Sequence, residues 1–181
     1  MLVSMNYNRE KALMYARRWA FGRNPLFENY SGIGGDCTNF VSQCIYAGSC
    51  VMNYTPTFGW YYISPTNRAP AWTGVQFFYN FITANESLGP YGREADAENL
   101  TVGDVIQLGN EAGMFYHTLI VTGFSGSGYL VAAHSSDALD RPLATYDYYV
   151  ARFIKIEGIR VEIPDMYAPG CFVSLTFSVT V

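Results

Sequence analysis

Apolar residues recur at helical spacing in the chain's first third. In residues 7–21, Ala12, Leu13, Ala16, Trp19 and Ala20 form one stripe behind a capping Asn8, and Asn24-Pro25 ends the run. In residues 34–48, GGDCTNFVSQCIYAG, the positions Phe40, Val41, Cys44 and Ile45 repeat at three- and four-residue steps. Asp36 stands where a helix N-cap would, Cys37 opens the helix, and Gly48 reads as its left-handed stop. Residues 50–71 are rich in Tyr, Trp, Pro and Thr without a period, as in a functional wall or lid. Thr73 caps another helical run with Val75, Phe77, Phe78, Phe81 and Ile82 inward, and residues 84–99 read as irregular. Beyond the Gly103-Asp104 turn the period drops to two. Runs at 105–108, 115–122, 129–133 and 148–156 predict strands, with 123–128 (GFSGSG) as a hairpin loop. Residues 173–181 alternate strictly and predict a last strand, on the sheet's edge or paired in an oligomer. Helices followed by an antiparallel meander make the fold class α+β.

The length, 181 residues, suits one domain, read as residues 1–158 with a C-terminal extension at 159–181. Half the residues are hydrophobic and only 14% are charged, so aromatic surface around a cleft is expected. The net charge is −4 and no basic block exceeds Arg17-Arg18, which argues against nucleic acid as a partner. No signal-peptide pattern opens the chain and no window suits a membrane span. Synthesis in the cytoplasm is therefore expected, with the place of action open. Cys37 and Cys44 lie two helical turns apart, roughly 10 Å, too far to bond. A Cys50–Cys171 disulfide is left open.

A cysteine in a helix's first turn meets unpaired N–H groups and the positive end of the dipole, which lower thiol pKa to between ~3.5 and ~7.5 in known cases. The alternative is a helix whose first core-facing residue happens to be Cys. The two histidines, His117 and His134, fall on strands that the 123–128 hairpin would pair, bringing both imidazoles to one face. A nucleophile, a base and a group that orients the base would then be Cys37, His117 and His134. The same residues with Asp137 are a weaker metal-site candidate, since HxxxH and CxxC spacings are absent, and no cofactor is expected. Cys44, Cys50 and Cys171 read as structural, Trp72 as core before ligand platform, Asp104 as shaping its turn, and Asp140-Arg141 as a solvated pair.

In order, these residues resemble the bacterial putative amidase domain, a branch of the cysteine hydrolases that include NlpC/P60 and CHAP domains. The matching pieces are Tyr7-Asn8-Arg9-Glu10-Lys11-Ala12 with Tyr15-Ala16, Asn24-Pro25, GGDCTNFVSQC, Ala71-Trp72-Thr73, Gly103-Asp104-Val105-Ile106-Gln107, His117-Thr118 ahead of Ile120-Val121-Thr122, and His134 with Asp137 and Arg141-Pro142. The resemblance implies a papain-like fold, a nucleophile helix on an antiparallel sheet. It implies Cys37 as nucleophile, His117 as base and His134 as the orienting residue, with Asp137 as substitute. The Cys37 N–H would serve an oxyanion hole, joined by a donor from Tyr30 or the Asp36 main chain, and Trp72 would line the cleft. The implied substrate is peptidoglycan or a peptide. A non-catalytic binding module and a thioester-forming amide transferase remain alternatives.

Overall fold

The computed structural model describes residues 1–126 and 128–162. Two helices come early, α1 (Arg9–Trp19) and α2 (Cys37–Ser49), then the short α3 (Pro70–Thr73) and α4 (Val75–Ala84). The strands are β1 (Leu2–Met5), β2 (Tyr62–Ser64), β3 (Asn67–Arg68), β4 (Gly89–Ala95), β5 (Val105–Gly109), β6 (Phe115–Ser125), β7 (Gly128–Ala133), β8 (Ala138–Pro142) and β9 (Val150–Glu162). All but β2 and β3 form one antiparallel sheet, ordered β1-β9-β5-β6-β7-β8 with β4 on the other edge of β9. The class is α+β.

One face of the sheet, with Val105, Ile120, Ala132, Ile154 and Ile156, packs against α1, α2 and α4. The other face, with Ile106, Leu108, Leu119 and Val131, is covered by Leu100, Leu143, Tyr146 and Tyr148. The Asn8 cap holds as expected, its Oδ1 accepting the Lys11 N–H at 2.9 Å. The expected apolar face of α2 is also present, but the structure buries every residue of that helix except Tyr46. Its polar side chains take aromatic partners: Tyr15 donates to Gln43 at 2.7 Å, Trp60 to Ser42 at 3.0 Å and Trp72 to Asn39 at 2.9 Å.

Several expectations are corrected. Gly48 does not stop α2; Cys50 does, with φ 58°. At Gly48 a Cβ would sit 2.4 Å from the Tyr7 ring and 2.6 Å from the Asn8 carbonyl oxygen, so the missing side chain admits the start of α1. Glycine-to-alanine in a helix normally stabilises by up to ~1 kcal/mol. Here the sign reverses: Gly48→Ala is expected to destabilise by roughly 1–3 kcal/mol through overpacking, read by urea denaturation. Thr73 ends α3, and Gly74, without a side-chain cap, precedes α4. Residues 89–95, read as irregular, are β4, and β1 and β8 are further strands. β9 runs through the boundary set at residue 158. Asp104 does shape its turn, accepting the Thr101 N–H at 2.8 Å, and it also ties Arg9 (2.6 Å) and the Ile156 N–H (2.9 Å) to the sheet. Asp140 and Arg141 do not pair with each other; Arg141 lies over the Tyr146 ring and Asp140 is 3.9 Å from Arg17. The 173–181 strand and the Cys50–Cys171 pairing fall outside the described residues.

Candidate active site

Cys37 is 6% exposed at the start of α2. Phe40 is the first residue of that helix whose N–H reaches a main-chain carbonyl, that of Asp36 at 2.9 Å, and the amides before it are the orphan donors of a helix start. Asp36 occupies the N-cap position without capping. The main-chain N–H groups of Cys37, Thr38 and Thr118 all act to lower the thiol pKa, and the Thr38 hydroxyl lies 3.9 Å from the sulfur. Thr118 has an amide to spare because the β6–β7 ladder begins two residues on, at Ile120↔Ala132. These donors favour the thiolate, but burial outweighs them and lifts the Cys37 pKa above the ordinary thiol value. The depressed value expected from the helix start is therefore corrected.

His117 precedes Thr118 on β6 and pairs with Leu108, which places it on the sheet face away from α2. Its ring lies 5.9 Å from that of Tyr146 and 6.5 Å from that of Tyr116. Among the described residues no hydrogen bond holds this imidazole, and none joins it to Cys37. Burial first, and the Arg141 charge second, lower its pKa from 6.5 to about 4. At neutral pH the two groups are a thiol and a neutral imidazole rather than an ion pair.

His134 goes elsewhere. Continuing the Ile120↔Ala132 and Val121↔Val131 rungs places it opposite Thr118, one position out of phase with His117, so the two imidazoles occupy opposite faces. Its ring stacks on Phe40 of α2 at 3.9 Å. Nδ1 lies 2.7 Å from Asp36 Oδ2 and Nε2 lies 2.8 Å from the Trp19 carbonyl oxygen. A carboxylate oxygen and a carbonyl oxygen thus face the two ring nitrogens, an arrangement that suits an N–H on each. The expected meeting of the two histidines does not occur in this structure.

The remaining expected positions are also occupied. Asp36 Oδ1 accepts from the Tyr30 N–H (3.1 Å) and Asn39 (2.7 Å), and Arg23 lies 3.1 Å from Oδ2. The Asp36 N–H donates to Ser135 Oγ at 2.8 Å and the Tyr30 hydroxyl to the Pro65 carbonyl at 3.3 Å, so neither of the suggested oxyanion donors is free. Asp137 is held by both Arg23 terminal nitrogens, at 2.9 and 2.8 Å. Trp72 is fully buried and supports Asn39 from the core. The aromatic stretch 53–72 divides: Trp60, Tyr62 and Trp72 are buried, whereas Phe58 lines a cavity of about 740 Å³ with Phe77 and Phe81, apart from Cys37 and His117. Among the described residues no group of three or more His, Cys, Asp or Glu is placed to hold a metal ion, and no helix is long and apolar enough to cross a membrane.

Sequence reasoning did not single out Thr38, Thr118 and Gln107. Thr38 Oγ1 and Thr118 Oγ1 are 2.8 Å apart, and Gln107 Nε2 donates to Thr118 Oγ1 at 3.1 Å. Their signal was their place in the matching pieces: one residue after the cysteine, one after the first histidine, and the end of the Gly103–Gln107 piece.

The family model described as "Putative amidase domain" matches residues 6–156. The chain belongs to that family. Amide hydrolysis in general is the activity this membership suggests. Two proteins of Bacillus subtilis (strain 168), both named as uncharacterized, are similar to it. YhbB is 33% identical over 121 residues, which is 65% of this chain and 38% of YhbB. YjcM is 28% identical over 144 residues, 75% of this chain and 32% of YjcM. The chain thus spans about a third of the length of these relatives. No solved structure matches it.

Proposed function

We propose that this amidase-family domain is a cysteine amidase of papain-like architecture acting on peptidoglycan amides. The observation that carries the reading is a thiol at an uncapped helix start, where main-chain N–H groups of α2 and β6 favour its thiolate. The Cys37 sulfur attacks the amide carbonyl, a C–S bond forms, and the C=O electron pair moves to oxygen. The Cys37 and Thr38 N–H groups receive that charge. His117, neutral and without a hydrogen bond to hold it, must turn about the end of β6 from the face it occupies here; it then takes the thiol proton and delivers it to the amine as the C–N bond breaks, leaving an acyl thioester on Cys37. Water then attacks the thioester, giving a proton to His117; the C–S bond breaks, the acid is released, and His117 returns that proton to the sulfur. The wall substrate rests on the resemblance to NlpC/P60 and CHAP domains.

The raised thiol pKa and the missing Cys37–His117 hydrogen bond favour a second reading, a binding module without chemistry. Acid-quenched incubations with stem-peptide amides and muramoyl–alanine fragments separate the two. The expected result, by intact mass, is an acyl adduct on Cys37 whose formation rate falls only as pH approaches about 4, where His117 protonates. No adduct with any wall fragment, or the same adduct on Cys37→Ala protein, overturns the amidase reading.

A further inference from the structure

The polar contacts that start at Thr38 continue across the sheet. On the face that carries the helices, Thr118 pairs with Gln107 and Gln107 with Arg152. Gln107 Nε2 donates to Thr118, and Arg152 Nε donates to Gln107 Oε1 at 2.7 Å. Two residues along on each strand the same face is apolar, with Ile120, Val105 and Ile154. The polar row therefore marks the rim of the core. It passes beneath the starts of α2 and α4, and Gln107 Nε2 also donates to the Val75 carbonyl at 2.9 Å.

Arg152 is 6% exposed, its guanidinium 3.7 Å from the Tyr79 ring centroid and 3.9 Å from that of Phe115. Among the described residues no carboxylate forms an ion pair with it. The Glu94 charge is felt at Arg152, but its carboxylate accepts from the Tyr79 hydroxyl at 2.7 Å and does not contact the guanidinium. Arg152 Nη2 is buried with no hydrogen-bond partner, and Nη1 is held only by the Gln76 amide oxygen at 3.2 Å. A buried guanidinium with no carboxylate in contact and one nitrogen unbonded is unfavourable, and its edge suits a carboxylate held by two parallel N–H bonds. Gln76 Oε1 stands where the first carboxylate oxygen would sit.

We propose that Arg152 binds a carboxylate of the substrate, displacing the Gln76 amide. This rests on the reading of Cys37 as nucleophile. Two strand spacings separate Arg152 from Thr118, roughly 10 Å. The substrate class is then an acidic peptide or acyl amide whose free carboxylate lies about that far from the cleaved bond.

The test uses iodoacetyl derivatives of β-alanine, γ-aminobutyrate and ε-aminocaproate, each against its carboxamide, with Cys37 labelling followed by mass. The expected result is that the carboxylate form reacts about tenfold or more faster at one chain length. That preference should vanish in Arg152→Gln and survive in part in Arg152→Lys. Equal preference in wild type and Arg152→Gln at every length overturns the proposal. Plain iodoacetamide reports on the nucleophile separately. If Cys37 is inert to it, calorimetry of N-acetyl-ε-aminocaproate against its carboxamide, on Cys37→Ala and Cys37→Ala/Arg152→Gln proteins, decides the carboxylate site alone. Preferential carboxylate binding that needs Arg152 supports the site; its absence overturns it.

Discussion

Replacing Cys37 by alanine is expected to lower amide hydrolysis by about 10⁴-fold or more while leaving the fold intact. The size follows from chemistry: no other described thiol shares this helix start, and the Thr38 hydroxyl beside it is bonded to Thr118. The fold should survive because the side-chain bonds that hold this region do not run through the sulfur. Thr38 and Thr118 remain bonded to each other at 2.8 Å, and the groups around Asp36 bond to the adjacent residue rather than to the thiol. Removing one small buried group should lower stability by roughly 1 kcal/mol. Hydrolysis of a wall amide and a urea melt, run on one preparation, read both. Turnover within tenfold of wild type would sink the nucleophile. His117→Gln should cost less, about 10²–10⁴-fold, because a lost base leaves the thiol and its donors in place.

Elements fixed by local pattern were legible, and those fixed by partners were not. α1 carries its cap and stripe between Asn8 and Ala20, so sequence suffices. β4, by contrast, reads Gly-Pro-Tyr-Gly-Arg-Glu-Ala, with no alternation and two residue types that strands avoid. It is a strand because β9 is long enough to take β5 and β1 on one edge and β4 on the other. Gly48 looked like a stop because glycine ends many helices; what required it was a tyrosine ring from forty-one positions upstream.

The same division runs through the site. Cys37 at a helix start was readable from fifteen contiguous residues. The separation of the two histidines was not, since it depends on a register offset of one residue between β6 and β7, and a slip of one changes the face. Burial of the thiol was also invisible: α2 looks amphipathic, yet Trp60, Trp72 and Tyr15 close over its polar side. Desolvation of the sulfur, rather than the donors around it, decides the direction of the thiol's pKa.

Asp36→Asn is expected to destabilise the protein by roughly 3–5 kcal/mol, the range for breaking a buried ion pair from one side. The fully buried carboxylate takes His134, Asn39 and the Tyr30 N–H within 3.1 Å, with Arg23 also against it. An amide in its place keeps one acceptor oxygen and turns an NH₂ toward groups that already donate, leaving the imidazolium of His134 without its counter-charge. The loss should depend on pH. Burial alone would raise the Asp36 pKa, but the hydrogen bonds from His134, Asn39 and Tyr30 prevail and hold it below 3.8. A carboxyl whose folded pKa lies below its unfolded one stabilises the fold fully above the unfolded value, and that contribution disappears as pH falls through the folded value. The gap between wild type and variant should therefore be widest above pH ~4 and narrow as Asp36 protonates. Chemical denaturation at several pH values reads it. A gap under about 1 kcal/mol at pH 7 would mean that Asp36 and His134 are not a charged pair, because a neutral pair loses little when one member becomes an amide. A full gap would assign the second histidine to holding the start of α2 in place, with the thiol as the group it positions.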